Sequence, residues 1–204
     1  MHPAGHFHEA DEARLLAELA AHPFVTLVAA PQDRLLIAHA PVVVRRLPSG
    51  LALDFHLSRS NALSGFLAGG FRAVMVSLAA EAYVSPDWYE GDDQVPSWNY
   101  ITVEAEGPVA VLDDEGLVAL LDELAAQEEA RLAPKPAWTR HKMSPDRFET
   151  MTRAIVGGRL TVERLEGTTK LSQNKSAADQ AGVAAALGDH PIARRMAAAI
   201  RPRS

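Results

Sequence analysis

LLIAHAPVVVRRLPSGLALDFHL, residues 35–57, holds two β-type runs, 35–46 and 51–57, on either side of Pro48-Ser49-Gly50. Proline fixes its own φ and glycine accepts a positive one, so the triplet reads as a hairpin turn. Two strands joined so tightly can pair only antiparallel. Pro41 lacks an N–H inside the first run, which predicts an edge position or a bulge there. Outward from this hairpin, FVTLVAA (24–30), FRAVMVSLA (71–79), NYITVEAEGPVAVL (99–112) and RLTVERLEG (159–167) read as further strands, with Gly107-Pro108 as a bulge signal.

Helical patterns lie between and after the strands. EADEARLLAELAA (9–21) has acids in its first turn and Leu15, Leu16 and Leu19 on one face. A short helix is predicted near 60–68. A longer one starts at Asp113-Asp114, with Leu117, Leu120, Leu121 and Leu124 at helical spacing. Residues 132–146, with Pro134, Pro136 and Pro145, read as a linker or surface loop, followed by a helix near 145–154. Two alanine-rich helices, about 176–187 and 190–200, close the chain. No βαβ alternation occurs, which argues against a doubly wound sheet. The fold class is mainly β (α+β): a small antiparallel barrel with peripheral and C-terminal helices. It is expected as one domain over 1–204, with a helical extension from about 176.

The 204 residues are 48% hydrophobic and 23% charged, and contain no cysteine, which excludes a disulfide framework and cysteine-ligated metal. No apolar run approaches the roughly 20 residues of a membrane-spanning helix. A soluble, cytoplasmic protein is expected. The net charge of −6 gives DNA binding little support, because proteins that hold phosphate backbones are usually basic. The one basic cluster, Arg194, Arg195, Arg201 and Arg203, reads as a solvated helix face and tail. His2, His6 and His8 lack a supporting carboxylate pattern, so no metal site is expected.

Three stretches carry chemistry. FHLSRSNAL (55–63) places Ser58, Arg59, Ser60 and Asn61 where a strand gives way to a helix, which suits a phosphate, though from composition alone a serine cap with a solvated arginine is the commoner reading. Residues 82–103 hold all three tyrosines and two of the three tryptophans, a setting for a flat, partly polar ligand or a plug at the barrel end. TKLSQNKSAADQAGV (168–182) places Lys170 and Lys175 around Ser172, Gln173 and Asn174. These donors suit an anionic ligand, and Ser176 can cap the helix that follows.

Taken in order, HPFVTLV (22–28), AHAPVVV (38–44), FHLSRSNAL (55–63), AYVSPDWY (82–89), VPSWNY (95–100), AIVGGRLTVERLEGTTKLSQNK (154–175) and DQAGV (179–183) resemble the successive motifs of the PaiB-type FMN-binding negative transcriptional regulators. The resemblance runs from about residue 5 to 190. It implies a pyridoxamine-phosphate-oxidase-like split barrel that binds FMN at a homodimer interface. It implies that Arg59, with Ser58 and Ser60, holds the FMN phosphate, and that His56 and Asn61 belong to the same pattern. Trp98, Asn99, Lys170, Ser172 and Gln173 are implied as further contacts, with Lys170 at the flavin's pyrimidine edge and Lys175 solvated. A regulatory role, with DNA as a possible partner, is the first expectation. The alternative is an FMN-dependent oxidoreductase or flavin reductase, since the flavin itself brings the redox chemistry.

Overall fold

The computed structural model describes residues 2–200. Eight strands form one sheet: β1 (His8–Glu9), β2 (Phe24–Ala29), β3 (Leu36–Leu47), β4 (Gly50–Ser58), β5 (Phe71–Val84), β6 (Ser97–Val111), β7 (Ile155–Thr161) and β8 (Arg164–Lys170). Five α-helices accompany them: α1 (Glu12–Ala21), α2 (Asp114–Ala130), α3 (Pro145–Thr152), α4 (Ala177–Leu187) and α5 (Pro191–Ile200). The strand order is β1-β8-β6-β5-β2-β3-β4-β7, and β6 also pairs with β7. That last pairing closes six strands into an antiparallel barrel, as the hairpin at 35–57 predicts.

The chain divides into two compact units. The barrel unit comprises Leu19–Ser77 and Ala105–Leu165. The other unit takes in Leu78–Glu104, the described residues up to Glu18, and those from Glu166 onward.

In the barrel unit, Leu47 pairs with Gly50 across the two-residue turn. In strand order β3 lies between β2 and β4, but its ladders to them do not overlap, so Pro41 has a partner strand on one side only, as at an edge. It sits opposite Phe24 at the end of the β2 ladder, and the β4 ladder starts one residue later at Val42. The missing N–H falls where the strand changes partner. Inside the barrel pack Leu27, Leu53, Phe55, Met75 and Leu160, all essentially inaccessible. Gly107 lies within β6, where a Cβ would stand 1.8 Å from the Thr161 carbonyl oxygen. Only glycine permits that approach.

α2 covers the outside of the barrel. Asp113 caps it by accepting from the Gly116 N–H at 2.7 Å, and Leu120 and Leu124 bury against Val43. Beside them Asp54, only 1% exposed, accepts from Arg45 Nε at 2.9 Å and from Arg159 Nε and Nη2 at 2.6 and 2.8 Å. Arg45 also donates to Glu123 of α2. The loop after α2 packs onto it, with the Trp138 N–H on Glu129 at 2.8 Å and Arg140 on Asp122 at 3.1 Å.

The predicted strand 159–167 is two strands, broken at Val162-Glu163. The first piece pairs with β4 and β6, the second with β1 and β6. At the break the Val162 N–H donates to Leu51 O and the Glu163 N–H to Glu106 O. The run looks continuous in sequence because both pieces carry β-type residues.

In the other unit, Val84, Ile101, Val183, Ile192 and Met196 form one apolar cluster with Ala82 and Leu171. The alanine-rich helices are thus core elements of this unit. Arg195 of the basic cluster is paired, its two terminal nitrogens on Glu18 at 2.7 and 2.8 Å, while its side chain stays 42% exposed. Arg201 and Arg203 of the same basic cluster lie outside the described residues. His2 and His6 pack around the Phe7 ring, at 4.6 and 4.0 Å. Among the described residues, no helix is long and apolar enough to cross a membrane.

Candidate functional site

The ten residues predicted to touch a cofactor fall into two groups of five, one in each unit. In the barrel unit, β4 ends at Ser58 and a 3-10 helix runs over Ala62–Gly69. The turn between them is tight: the Asn61 N–H donates to Ser58 O at 2.9 Å, and Ser64 Oγ donates to the same carbonyl at 2.7 Å. Asn61 is the cap, its Oδ1 accepting from the Leu63 N–H at 3.0 Å. The Ser58 and Ser60 hydroxyls lie 2.8 Å apart. One proton serves that bond, which leaves one hydroxyl free to donate elsewhere.

Arg59 is held twice by the segment after α3. Its backbone N–H donates to Ala154 O and its Nε to Arg153 O, both at 2.9 Å. Its two terminal nitrogens have no partner among the described residues, and the side chain is exposed. A guanidinium oriented through Nε with its outer N–H groups open is arranged for an oxygen-rich anion. His56 lies on β4 opposite Gly157. Its Nδ1 is buried without a partner, and burial lowers the ring's pKa, favouring the neutral form.

In the other unit, Asn99 and Ser172 are 1% and 4% exposed and hydrogen-bond each other. The Lys170 ammonium donates to Ser97 Oγ at 2.6 Å and to the Trp98 carbonyl at 2.8 Å, and lies 5.7 Å from the Phe7 ring centre. Its pKa is lowered by burial. Gln173 folds back on its own turn, its Oε1 accepting from the Leu171 N–H at 2.6 Å and its Nε2 donating to Thr169 O at 2.5 Å. Trp98 is 52% exposed and meets the half-exposed Tyr83 edge-on at 5.9 Å.

Lys175 is not solvated. It donates to Gln94 Oε1 at 2.6 Å and lies 4.8 Å from the Tyr89 ring centre. Asp179, which sequence reasoning passed over, accepts from the Glu90 N–H at 2.9 Å, and hydrogen bonds from Ser176, Glu90 and Gly91 hold its carboxyl below the ordinary range. Gly182 lets α4 approach the same loop, since a Cβ there would meet the Trp88 carbonyl oxygen at 2.3 Å. The motifs at 168–183 therefore pin the aromatic loop 85–94. Trp88 and Tyr89 pack against the apolar cluster of this unit, whereas Tyr83 and Trp98 face outward.

Residues 1–164 match the model of the family described as "Putative FMN-binding domain". The chain belongs to that family. It is 26% identical over 176 residues to the Protease synthase and sporulation protein PAI 2 of Bacillus subtilis (strain 168), covering 85% of this chain and 84% of that protein. An uncharacterized protein of Aspergillus fumigatus is 28% identical over 120 residues, covering 50% of this chain and 46% of its own length. Among solved structures, the FAD and heme binding protein from Mycobacterium smegmatis superposes with a TM-score of 0.55 at 19% identity, covering 90% of this chain and 82% of that one. The flavocytochrome Anf3 from Azotobacter vinelandii gives 0.56 at 15%, covering 89% and 78%. At these identities the two structures show the split-barrel fold. The PaiB-type resemblance of the motifs is borne out, and FMN is the cofactor of this family. The turn at Ser58–Asn61 fits such a group, because it offers an unpaired guanidinium end and a spare hydroxyl, and the His56 Nδ1 two residues before it is orphaned.

Proposed function

We propose that this protein is a flavin-responsive regulator of transcription that works as an FMN-binding homodimer, with the FMN phosphate on the Ser58–Asn61 turn. The observation that carries the phosphate assignment is Arg59, fixed at Nε by Arg153 O while its terminal nitrogens stay unpaired. Ser58 and Ser60 add a hydroxyl donor, and His56 offers its unpartnered nitrogen. When bound, FMN supplies redox chemistry that no protein side chain here has to supply. Lys170, with an N–H beyond those given to Ser97 and Trp98, would favour a ring edge that gains negative charge.

The homodimer reading rests on the outer face of β2, β3 and β5 in the barrel unit. The ladders set Val74, Val28 and Ile37 in one row and Val76, Thr26 and His39 in the next, with Phe24 and Pro41 beyond. Phe24 and Ile37 are 66% and 59% exposed, and no acidic or basic side chain other than His39 stands among these positions. An apolar face with no carboxylate, lysine or arginine among these positions suits a copy of itself, and two-fold pairing is the commonest closed symmetry.

The test is the visible spectrum of the purified protein titrated with FMN, then with a reduced nicotinamide. Saturable flavin binding without bleaching supports the regulator. Rapid bleaching with turnover would replace it by an FMN-dependent oxidoreductase. No saturable binding would overturn the phosphate assignment.

A further inference from the structure

We propose that the unit containing the C-terminal helices holds a second small-molecule site, independent of FMN, that takes a small amphipathic monocarboxylate. The site is a cavity of about 430 Å³ bounded by α1, β6, the end of β8 and α5. That volume lies within the roughly 300–1,000 Å³ of small-molecule sites. Nothing in the flavin reading uses it.

Its chemistry is two-sided. Leu15, Ile101, Val103 and Leu171 make an apolar floor, and Ala198 of α5 stands at the rim. Thr102 and Thr169 also line it, and their hydroxyls have no partner among the described residues. The charged lining consists of two ion pairs, Arg14 with Glu9 at 3.1 Å and Arg195 with Glu18 at 2.7 Å. In both pairs the carboxylate lies deeper than the cation. The arginine side chains are 48% and 42% exposed, the glutamates only 18% and 16%. Glu9 holds Nη1 of Arg14, with Asp11 3.7 Å from its Nε, and Glu18 holds both terminal nitrogens of Arg195, which leaves Nη2 of Arg14 and Nε of Arg195 with no carboxylate on them.

A ligand entering this cavity meets guanidinium N–H donors at the mouth and hydrocarbon below. A carboxylate head accepts from the donors, and a short aliphatic or aryl tail covers the floor. An ammonium head on the same tail would face two cations and find the carboxylates already engaged. The charge arrangement thus selects the sign of the ligand, and the floor selects its apolar tail.

The experiment uses the full chain loaded with FMN and two probes that share one tail, 4-phenylbutyrate and 4-phenylbutylamine, followed by calorimetry and by the flavin spectrum. Saturable one-to-one binding of the carboxylate, with no binding of the amine, is the expected result. Arg195→Gln should weaken the carboxylate by about tenfold or more, the usual effect of losing a hydrogen bond to a charged group. Because that variant strands Glu18, Ala198→Trp is the second probe: it fills the mouth and leaves both ion pairs intact. It should abolish phenylbutyrate binding with an unchanged flavin spectrum. The proposal is overturned if the carboxylate does not saturate at millimolar concentration, if the amine binds equally well, or if Ala198→Trp binds as the parent does. Loss of the flavin band alone would count against the FMN reading and not against this site.

Discussion

The side chains of Asn99 and Ser172 satisfy each other inside the protein. Asn99 Nδ2 donates to Ser172 Oγ at 3.0 Å, and Ser172 Oγ donates back to Asn99 Oδ1 at 3.2 Å. Ser172 holds a left-handed backbone, φ 60°, to make this pairing. The two residues belong to VPSWNY and KLSQNK, two of the motifs that carry the family resemblance, so one function of those motifs is to recognise each other. Lys170 reinforces the junction from the other side through Ser97 and the Trp98 carbonyl.

Truncating either partner strands a buried polar group. Asn99→Ala and Ser172→Ala should each lower stability by about 1–3 kcal/mol, and the double variant by less than the sum of the two. Urea unfolding of the three variants measures this, and strict additivity would argue against a coupled pair.

Asp54 is the buried anion between Arg45 and Arg159, and its hydrogen bond raises the pKa of Arg159. Asp54→Ala leaves two arginines beside an apolar wall and frees Arg45 from one of its two tethers. The expected loss is about 3–5 kcal/mol, the usual result of breaking a buried ion pair from one side. Chemical denaturation with the FMN site empty isolates the effect from ligand binding.

Arg59→Ala should weaken FMN binding by about 1.5–3 kcal/mol, the worth of a hydrogen bond to a charged group. Riboflavin, which lacks the phosphate, should bind the variant and the parent alike. Equal loss for both ligands in a fluorescence titration would move Arg59 away from the phosphate.

His56 makes stability depend on pH. Burial holds its folded pKa below the ordinary value of about 6.5, so the unfolded chain takes up the proton first. Stability is full above pH about 6.5 and falls as the pH drops from there toward the lower folded value. His56→Gln should flatten that part of the curve. Unfolding midpoints from pH 5 to 8, about the span over which histidine titrates, provide the check.

A charge on the exposed sheet face should break self-association. Ile37→Lys and Phe24→Glu are expected to convert the dimer to monomer at micromolar concentration, a weakening of at least about 2 kcal/mol, with an unchanged circular dichroism spectrum. Light scattering reads the mass directly. A parent protein that is already monomeric would remove the homodimer from the proposal.

The sequence by itself determined the local elements. The turn at Pro48-Ser49-Gly50 specified an antiparallel hairpin, the leucines at 117, 120 and 124 specified the buried stripe of α2, and Ser176 its own helix start. These follow from φ preferences, side-chain period and capping, all of which act within a few residues. The motif order also carried the family. Tertiary structure alone decided which polar residues of those motifs turn inward. Asn99 and Ser172 look like ligand donors in sequence, yet they meet across 73 positions and are buried. It also decided that Lys175 packs on Tyr89, that Pro41 marks a change of strand partner, and that Val162-Glu163 divides one β-type run in two. The physical reason is common to all four: a donor or a missing N–H specifies that something must be satisfied, while the partner is supplied by a segment far along the chain that only the closed sheet brings near.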